Sequence, residues 1–187
     1  MGADPVLPGL SVVLVDSARG RATGAIVAAA AAAAAVSREF EVVVVENGLG
    51  EHTASSAELL RDPRLRVRLL VHAHSRGSGA ALRSGLDAAR MPWVLLLDEA
   101  RPIELPELGV LVAAAASADI VVGRREPGRP AGGWRRVLRR RGADALVLIR
   151  RDVLERFALR AGDKAIGAHA LVRCREAGAR VAERPLP

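Results

Sequence analysis

Residues 41–48 read Glu-Val-Val-Val-Val-Glu-Asn-Gly. Four β-branched residues in a row, closed by an acid and an Asn-Gly turn, predict a strand rather than a helix. No polar residue interrupts positions 42–45, so the strand has no face for water. A strand buried on both faces belongs to a parallel sheet covered by helices on both sides.

The rest of the chain follows that plan. Upstream, residues 10–15 form a second apolar run, bounded by Pro8-Gly9 and Asp16-Ser17. Between the two runs, 20–37 predicts a helix with Thr23 as a cap. Downstream come a short helix (53–61), a strand (65–71), a helix (77–90) and a strand (93–98). A helix (104–117) and a strand (119–123) follow. Residues 124–142, rich in Arg, Pro and Gly, read as a loop. The tail predicts a strand at 145–149, helices at 151–159 and 166–177, and a last strand at 180–183. No internal repeat is visible, and 1–187 reads as one α/β domain with a mostly parallel sheet.

The chain has 187 residues, 50% hydrophobic and 26% charged, which is a globular balance. Aromatic residues make up only 2%: Phe40, Trp93, Trp134 and Phe157. That argues against modules that stack single-stranded nucleic acid on aromatic platforms. There are 28 basic and 21 acidic residues, a net charge of +7, and Lys164 is the sole lysine. Such Arg and Ala bias resembles GC-rich coding, yet the positive balance still favours anionic partners. A lone cysteine, Cys174, excludes a disulfide framework and a cysteine zinc site. The longest apolar run, 25–36, falls short of the roughly 20 residues of a bilayer span. Residues 1–9 carry no secretion signal, so a cytoplasmic protein is expected.

Ligands on parallel sheets sit beyond the carboxyl ends of the strands. The positions to inspect are therefore Asp16, 46–48, 72–75, Asp98-Glu99 and 123–124. Ser75-Arg76-Gly77-Ser78-Gly79 opens a helix after a strand, as a phosphate loop does, or it is simply a tight turn. It matches neither a dinucleotide fingerprint nor a P-loop. Asp98 and Glu99 would hold a divalent cation, or they are solvated charges. His72 and His74 have a metal-like spacing but no evident third ligand. Within 134–141, Trp134, Val137, Leu138 and Arg141 give an apolar stripe among arginines. That suits a membrane interface or a phosphorylated lipid, and equally a solvated basic loop. No duplex-binding motif is visible, so nucleic acid is not an expected partner.

In order, these pieces resemble the family 2 glycosyltransferases of GT-A fold, especially the polyprenyl-phosphate sugar transferases. Residues 10–14 are similar to their first strand, and 40–48 to the segment ending Asp-Asp-Gly-Ser. Residues 76–86 (Arg-Gly-Ser-Gly-Ala-Ala-Leu-Arg-Ser-Gly-Leu) resemble their Gly-Lys-Gly-Ala-Ala-Leu-Arg helix. Residues 93–98 resemble the strand that carries the metal motif. Residues 119–124 and 173–187 match later segments.

The resemblance implies binding of a nucleoside diphosphate sugar and transfer of the sugar. Asp16 and Glu46 would contact the nucleoside, Asp98 the ribose or metal side, and Arg76 and Arg124 the diphosphate. Asp98 and Glu99 would hold Mn or Mg. Asp163 or His169 would serve as base, and a polyprenyl phosphate or membrane surface is an implied partner.

The departures fall at functional positions. Arg19 stands where the family has an acid, and Ser78 replaces its lysine. The Asp-x-Asp motif reads Asp98-Glu99-Ala100, a weakened metal site. Ile166-Gly167 stand near the place of the Glu-Asp pair that supplies the base. These changes predict impaired transfer or, alternatively, an inactive scaffold that acts as a binding or regulatory partner.

Overall fold

The computed structural model describes residues 7–16, 22–48, 59–97, 103–125, 145–156 and 174–187. Among these described residues seven strands form one sheet: β1 (Leu10–Asp16), β2 (Phe40–Asn47), β3 (Val67–His72), β4 (Trp93–Leu97), β5 (Ile120–Arg125), β6 (Ala145–Arg150) and β7 (Val181–Leu186). Their order is β3-β2-β1-β4-β6-β5-β7. β6 pairs antiparallel with β4 and β5, and all other pairs are parallel. Six strands therefore point one way, and their carboxyl ends share one edge. The expected α/β fold with a mostly parallel sheet is the observed one.

The valine run 42–45 is fully buried and divides its side chains between two cores. Val42 and Val44 face helix α1 (Ala22–Val36), in the core that continues to helix α3 (Leu105–Ala115) over the other half of the sheet. Val43 and Val45 face helix α2 (Ser78–Ala88), in the core that continues to helix α4 (Arg151–Arg156) on β6. Burial on both sides explains why the run lacks alternation. Helix α1 is held by alanine's high helix propensity. Ala25, Ile26, Ala29, Ala32, Ala33 and Val36 form its buried stripe, while Val27 stays 45% exposed.

β3 begins at Val67, two residues later than expected. Asp62 accepts from the Arg64 backbone N–H at 3.0 Å and starts a 3-10 turn over Pro63–Leu65. Arg66 then adopts a left-handed φ of 48° before the strand starts. Helix α2 presses hardest on the sheet at Gly85. A Cβ there would run into Val13 Cγ1 and lie 3.2 Å from Val45 Cγ2.

The proposed helix at 53–61, the loop at 124–142 with its Trp134 stripe, and the helix at 166–177 lie mainly outside the described residues. Among the described residues, no helix is long and apolar enough to cross a membrane.

Candidate active site

The carboxyl edge of β1, β2 and β3 gathers the residues marked in the sequence. Backbone register places Asp16 beside Glu46, Glu46 beside Val71, and Asn47 beside His72. Successive residues of a strand point to opposite faces. Glu46 thus follows Val44 onto the α1 side, and Asn47 follows Val45 onto the α2 side.

Glu46 is 5% exposed, and neither carboxylate oxygen has a hydrogen-bond partner among the described residues. An unpaired buried carboxylate costs several kcal/mol unless donors reach it. A buried carboxylate in that state can accept hydrogen bonds from a donor that another molecule brings. Asn47 is equally buried, at 6%, but its amide is used. Its Oδ1 accepts from the Arg76 backbone N–H at 2.9 Å. Gly48, with φ of 114°, then turns the chain away from the strand past Ser75.

Arg76 is exposed, and its guanidinium has no ion pair among the described residues. Arg124 is differently placed. It is the last residue but one of β5, three strands from β1, or roughly 14 Å at the usual strand spacing. Its Nε donates to Glu183 Oε2 at 2.9 Å. The edge thus brings Asp16, Glu46 and the Arg76 loop together and leaves Arg124 on the other half of the sheet.

Asp98, Glu99, Asp163 and His169 lie outside the described residues. Among the described residues, no group of three or more His, Cys, Asp or Glu side chains is placed to hold a metal ion. His72 has ring contacts on both nitrogens, to Asn47 and to Ser84. Cys174 is buried in the α2-side core, as expected of a packing thiol.

Sequence reading missed two polar clusters. One is the Asn47 amide with its loop partners. The other lies at the opposite sheet end, where Ser11 Oγ donates to Glu41 Oε1 at 2.7 Å and Arg68 Nη1 donates to Glu41 Oε2 at 3.0 Å. The polar residues Ser11 and Glu41, set within strands otherwise apolar, were the available signal for the second.

A mostly parallel sheet covered by helices on both faces, with one antiparallel strand, defines an α/β class whose ligands sit at the carboxyl edge. Residues 12–175 match the model described as Glycosyl transferase family 2, and the chain belongs to that family. Over 84 residues it is 36% identical to the succinoglycan biosynthesis protein ExoO of Rhizobium meliloti, a match covering 44% of this chain and 24% of ExoO.

The fold is similar to that of S. aureus TarS, in its 1–349 fragment, at a TM-score of 0.66 and 18% identity. That comparison covers 94% of this chain and 58% of the fragment. It is also similar to the mannosyltransferase PcManGT from Pyrobaculum calidifontis, in complex with GDP-Man and Mn2+, at a TM-score of 0.68 and 19% identity. There the coverage is 94% of this chain and 54% of PcManGT. At these identities the likeness speaks to the fold alone. The chain spans just over half the length of these neighbours and about a quarter of ExoO.

Proposed function

We propose that this chain binds a nucleoside diphosphate sugar across the carboxyl edge of β1, β2 and β4 and transfers the sugar to an acceptor. The observation that carries the reading is the buried carboxylate of Glu46, which has no hydrogen-bond partner among the described residues and lies beside Asp16 in the strand register. These two acids accept hydrogen bonds from the nucleoside. Arg76 meets the diphosphate as its counter-charge. Arg124, if released from Glu183, reaches the donor from the other half of the sheet. Neighbouring folds support the donor class: PcManGT is recorded with GDP-Man and TarS with UDP-GlcNAc.

In transfer, an acceptor oxygen forms a bond to the anomeric carbon as the bond to the diphosphate oxygen breaks. The leaving electron pair stays on the diphosphate, where Arg76 stabilises it. Asp98 and Glu99 would hold a divalent cation, which adds charge neutralisation at that leaving group. Asp163 or His169 takes the proton of a hydroxyl acceptor. A phosphate acceptor, such as a polyprenyl phosphate, carries no proton to remove, which suits a chain with a reduced base set.

The test is calorimetric titration of UDP, GDP and their sugar conjugates with and without Mn2+, followed by transfer assays with polyprenyl phosphate. Binding of a sugar nucleotide together with transfer supports the reading. No binding to any of them overturns it.

A second reading rests on Ala100, which stands where the family's metal-holding acid would be. On that reading the chain binds the donor or a protein partner without turnover. Ala100→Asp separates the two: turnover that appears only in the variant marks an inactive scaffold with the rest of its site intact.

A further inference from the structure

The loop 73–77 is exposed along its length. Among the described residues, its hydrogen bonds to the sheet both go to Asn47: Arg76 N–H to Oδ1 at 2.9 Å, and Ser75 Oγ with Nδ2 at 3.4 Å. A backbone N–H only donates, so the amide atom facing Arg76 is the oxygen. That same oxygen lies 3.2 Å from His72 Nδ1, which must then carry the proton. In the neutral ring, Nε2 accepts from the Ser84 hydroxyl at 3.0 Å. The chain of contacts runs from Ser84 through His72 and Asn47 to the Arg76 backbone. It joins α2, the ends of β3 and β2, and the loop, through residues 12, 25 and 29 positions apart.

We propose that His72 is a positioning residue for the anion-binding loop. Packed between Asn47 and Ser84, it fixes the amide orientation of Asn47 and, through it, the Arg76 backbone. The Arg76 guanidinium and the neighbouring loop amides are thereby preset for the donor diphosphate. This rests on the donor-site reading above. Both ring nitrogens of His72 are engaged in these contacts.

The contact that matters is Nδ1 to Asn47, and two substitutions separate it from Nε2 to Ser84. Asn at 72 places an amide nitrogen near the Nδ1 position, and Gln places one near Nε2. The affinities of His72→Asn, His72→Gln and His72→Ala for GDP and UDP, and for guanosine and uridine, are measured by calorimetry at fixed Mn2+. His72→Asn is expected to stay within about threefold of the parent for the diphosphate. His72→Gln and His72→Ala are expected to lose roughly tenfold, the order of one net hydrogen bond. Affinity for the bare nucleoside stays unchanged in all three. Amide hydrogen exchange at Arg76 in the ligand-free protein is the second measurement. It should quicken in His72→Ala and His72→Gln but not in His72→Asn.

Unchanged diphosphate affinity and exchange in His72→Ala would overturn the proposal. So would equal losses in His72→Asn and His72→Ala, or parallel losses for nucleoside and diphosphate. If the parent protein binds no nucleoside diphosphate, it is the donor-site reading that has failed. Exchange at Arg76 then still reports whether His72 holds the loop.

Discussion

Asp119 Oδ1 lies 2.8 Å from Arg180 Nη2, across 61 residues of sequence. The same carboxylate accepts from the Arg180 backbone N–H at 2.9 Å and lies 3.4 Å from Arg150 Nη1. One side chain, 14% exposed, thus ties the start of β5 to the end of β6 and the approach to β7. Among the described residues, this half of the sheet holds the antiparallel pairs, β4 with β6 and β5 with β6, and Asp119 sits where their ends meet.

Asp119 should therefore govern acid stability. The Arg180 side-chain hydrogen bond, with its charge and that of Arg150, outweighs burial and holds the carboxyl down to about 2 from an ordinary 3.8. A folded value below the unfolded one gives stability that is fully present above about pH 4. It is lost as pH falls through that range toward 2. Asp119→Asn should cost about 1–3 kcal/mol near neutrality, since it turns an amide toward two arginines. It should also flatten the acid limb. Urea midpoints from pH 7 to pH 2.5 check this, and an unchanged acid limb in the variant would count against the assignment.

Glu41 gives a second, independent prediction at the opposite sheet end from the candidate site. Burial raises its carboxyl, but bonds from Ser11, Arg68 and the Arg90 backbone N–H outweigh that and leave it lowered. Removing the acid takes one acceptor from Arg68, which keeps the Ala88 carbonyl at 2.6 Å, and the shorter of two from the Arg90 N–H, which keeps Ser11 Oγ at 3.2 Å. Arg68 keeps some contact with water, at 32% exposure, so the cost falls below that of a fully buried pair. Glu41→Gln should destabilise by about 1–3 kcal/mol. In a double-mutant cycle with Arg68→Met, the two losses should be less than additive. Additive losses would mean that the pair does not act as a unit.

Much of the fold was legible because its strands are short apolar runs between acids, glycines and prolines. Residues 41–46 and 93–97 needed nothing else. The direction of β6 was not legible: 145–149 reads the same whether it runs with its neighbours or against them. The start of β3 was misplaced because Leu65 looks like strand, while Asp62 and Pro63 form a turn that ends only at Arg66. At the site, Asp16, Glu46 and Arg76 could be marked because strand ends are readable. The Asn47 contacts could not, since they join four segments whose approach is set by packing. The two histidines suggested a metal because spacing shows which residue types are near, not which ring atoms are already bonded.

Gly85 lies within the segment that resembles the family helix, and the sheet beneath it supplies the reason. Alanine would favour the helix by about 1 kcal/mol. Its methyl would also collide with Val13 and crowd Val45, two core side chains that are 0% exposed. Overpacking of this kind costs about 1–3 kcal/mol, so the collision wins. Gly85→Ala should lower thermal stability despite its better helix propensity. Gly109 on α3, with nothing within 4 Å of a built Cβ, is the control. Gly109→Ala should be neutral or stabilising. A more stable Gly85→Ala would show that α2 can lift from the sheet without loss.

On the proposed donor-site reading, Glu46 sets stability against binding in one residue. With no donor facing either buried oxygen among the described residues, the carboxylate burdens the ligand-free fold. Leu is close in size, and Val44 two residues earlier on the same face is fully buried. Glu46→Leu should therefore stabilise the ligand-free protein by about 1–3 kcal/mol. That corresponds to a rise of several degrees in Tm for a domain of this size. The same change removes both acceptors offered to the nucleoside, so calorimetry should find nucleotide affinity reduced at least tenfold, a loss of about 1.4 kcal/mol or more. Added nucleotide should then raise Tm in the parent protein and not in the variant. The two effects must appear together. A destabilised variant would mean that Glu46 has a structural partner in the folded chain, and retained affinity would remove it from the donor site.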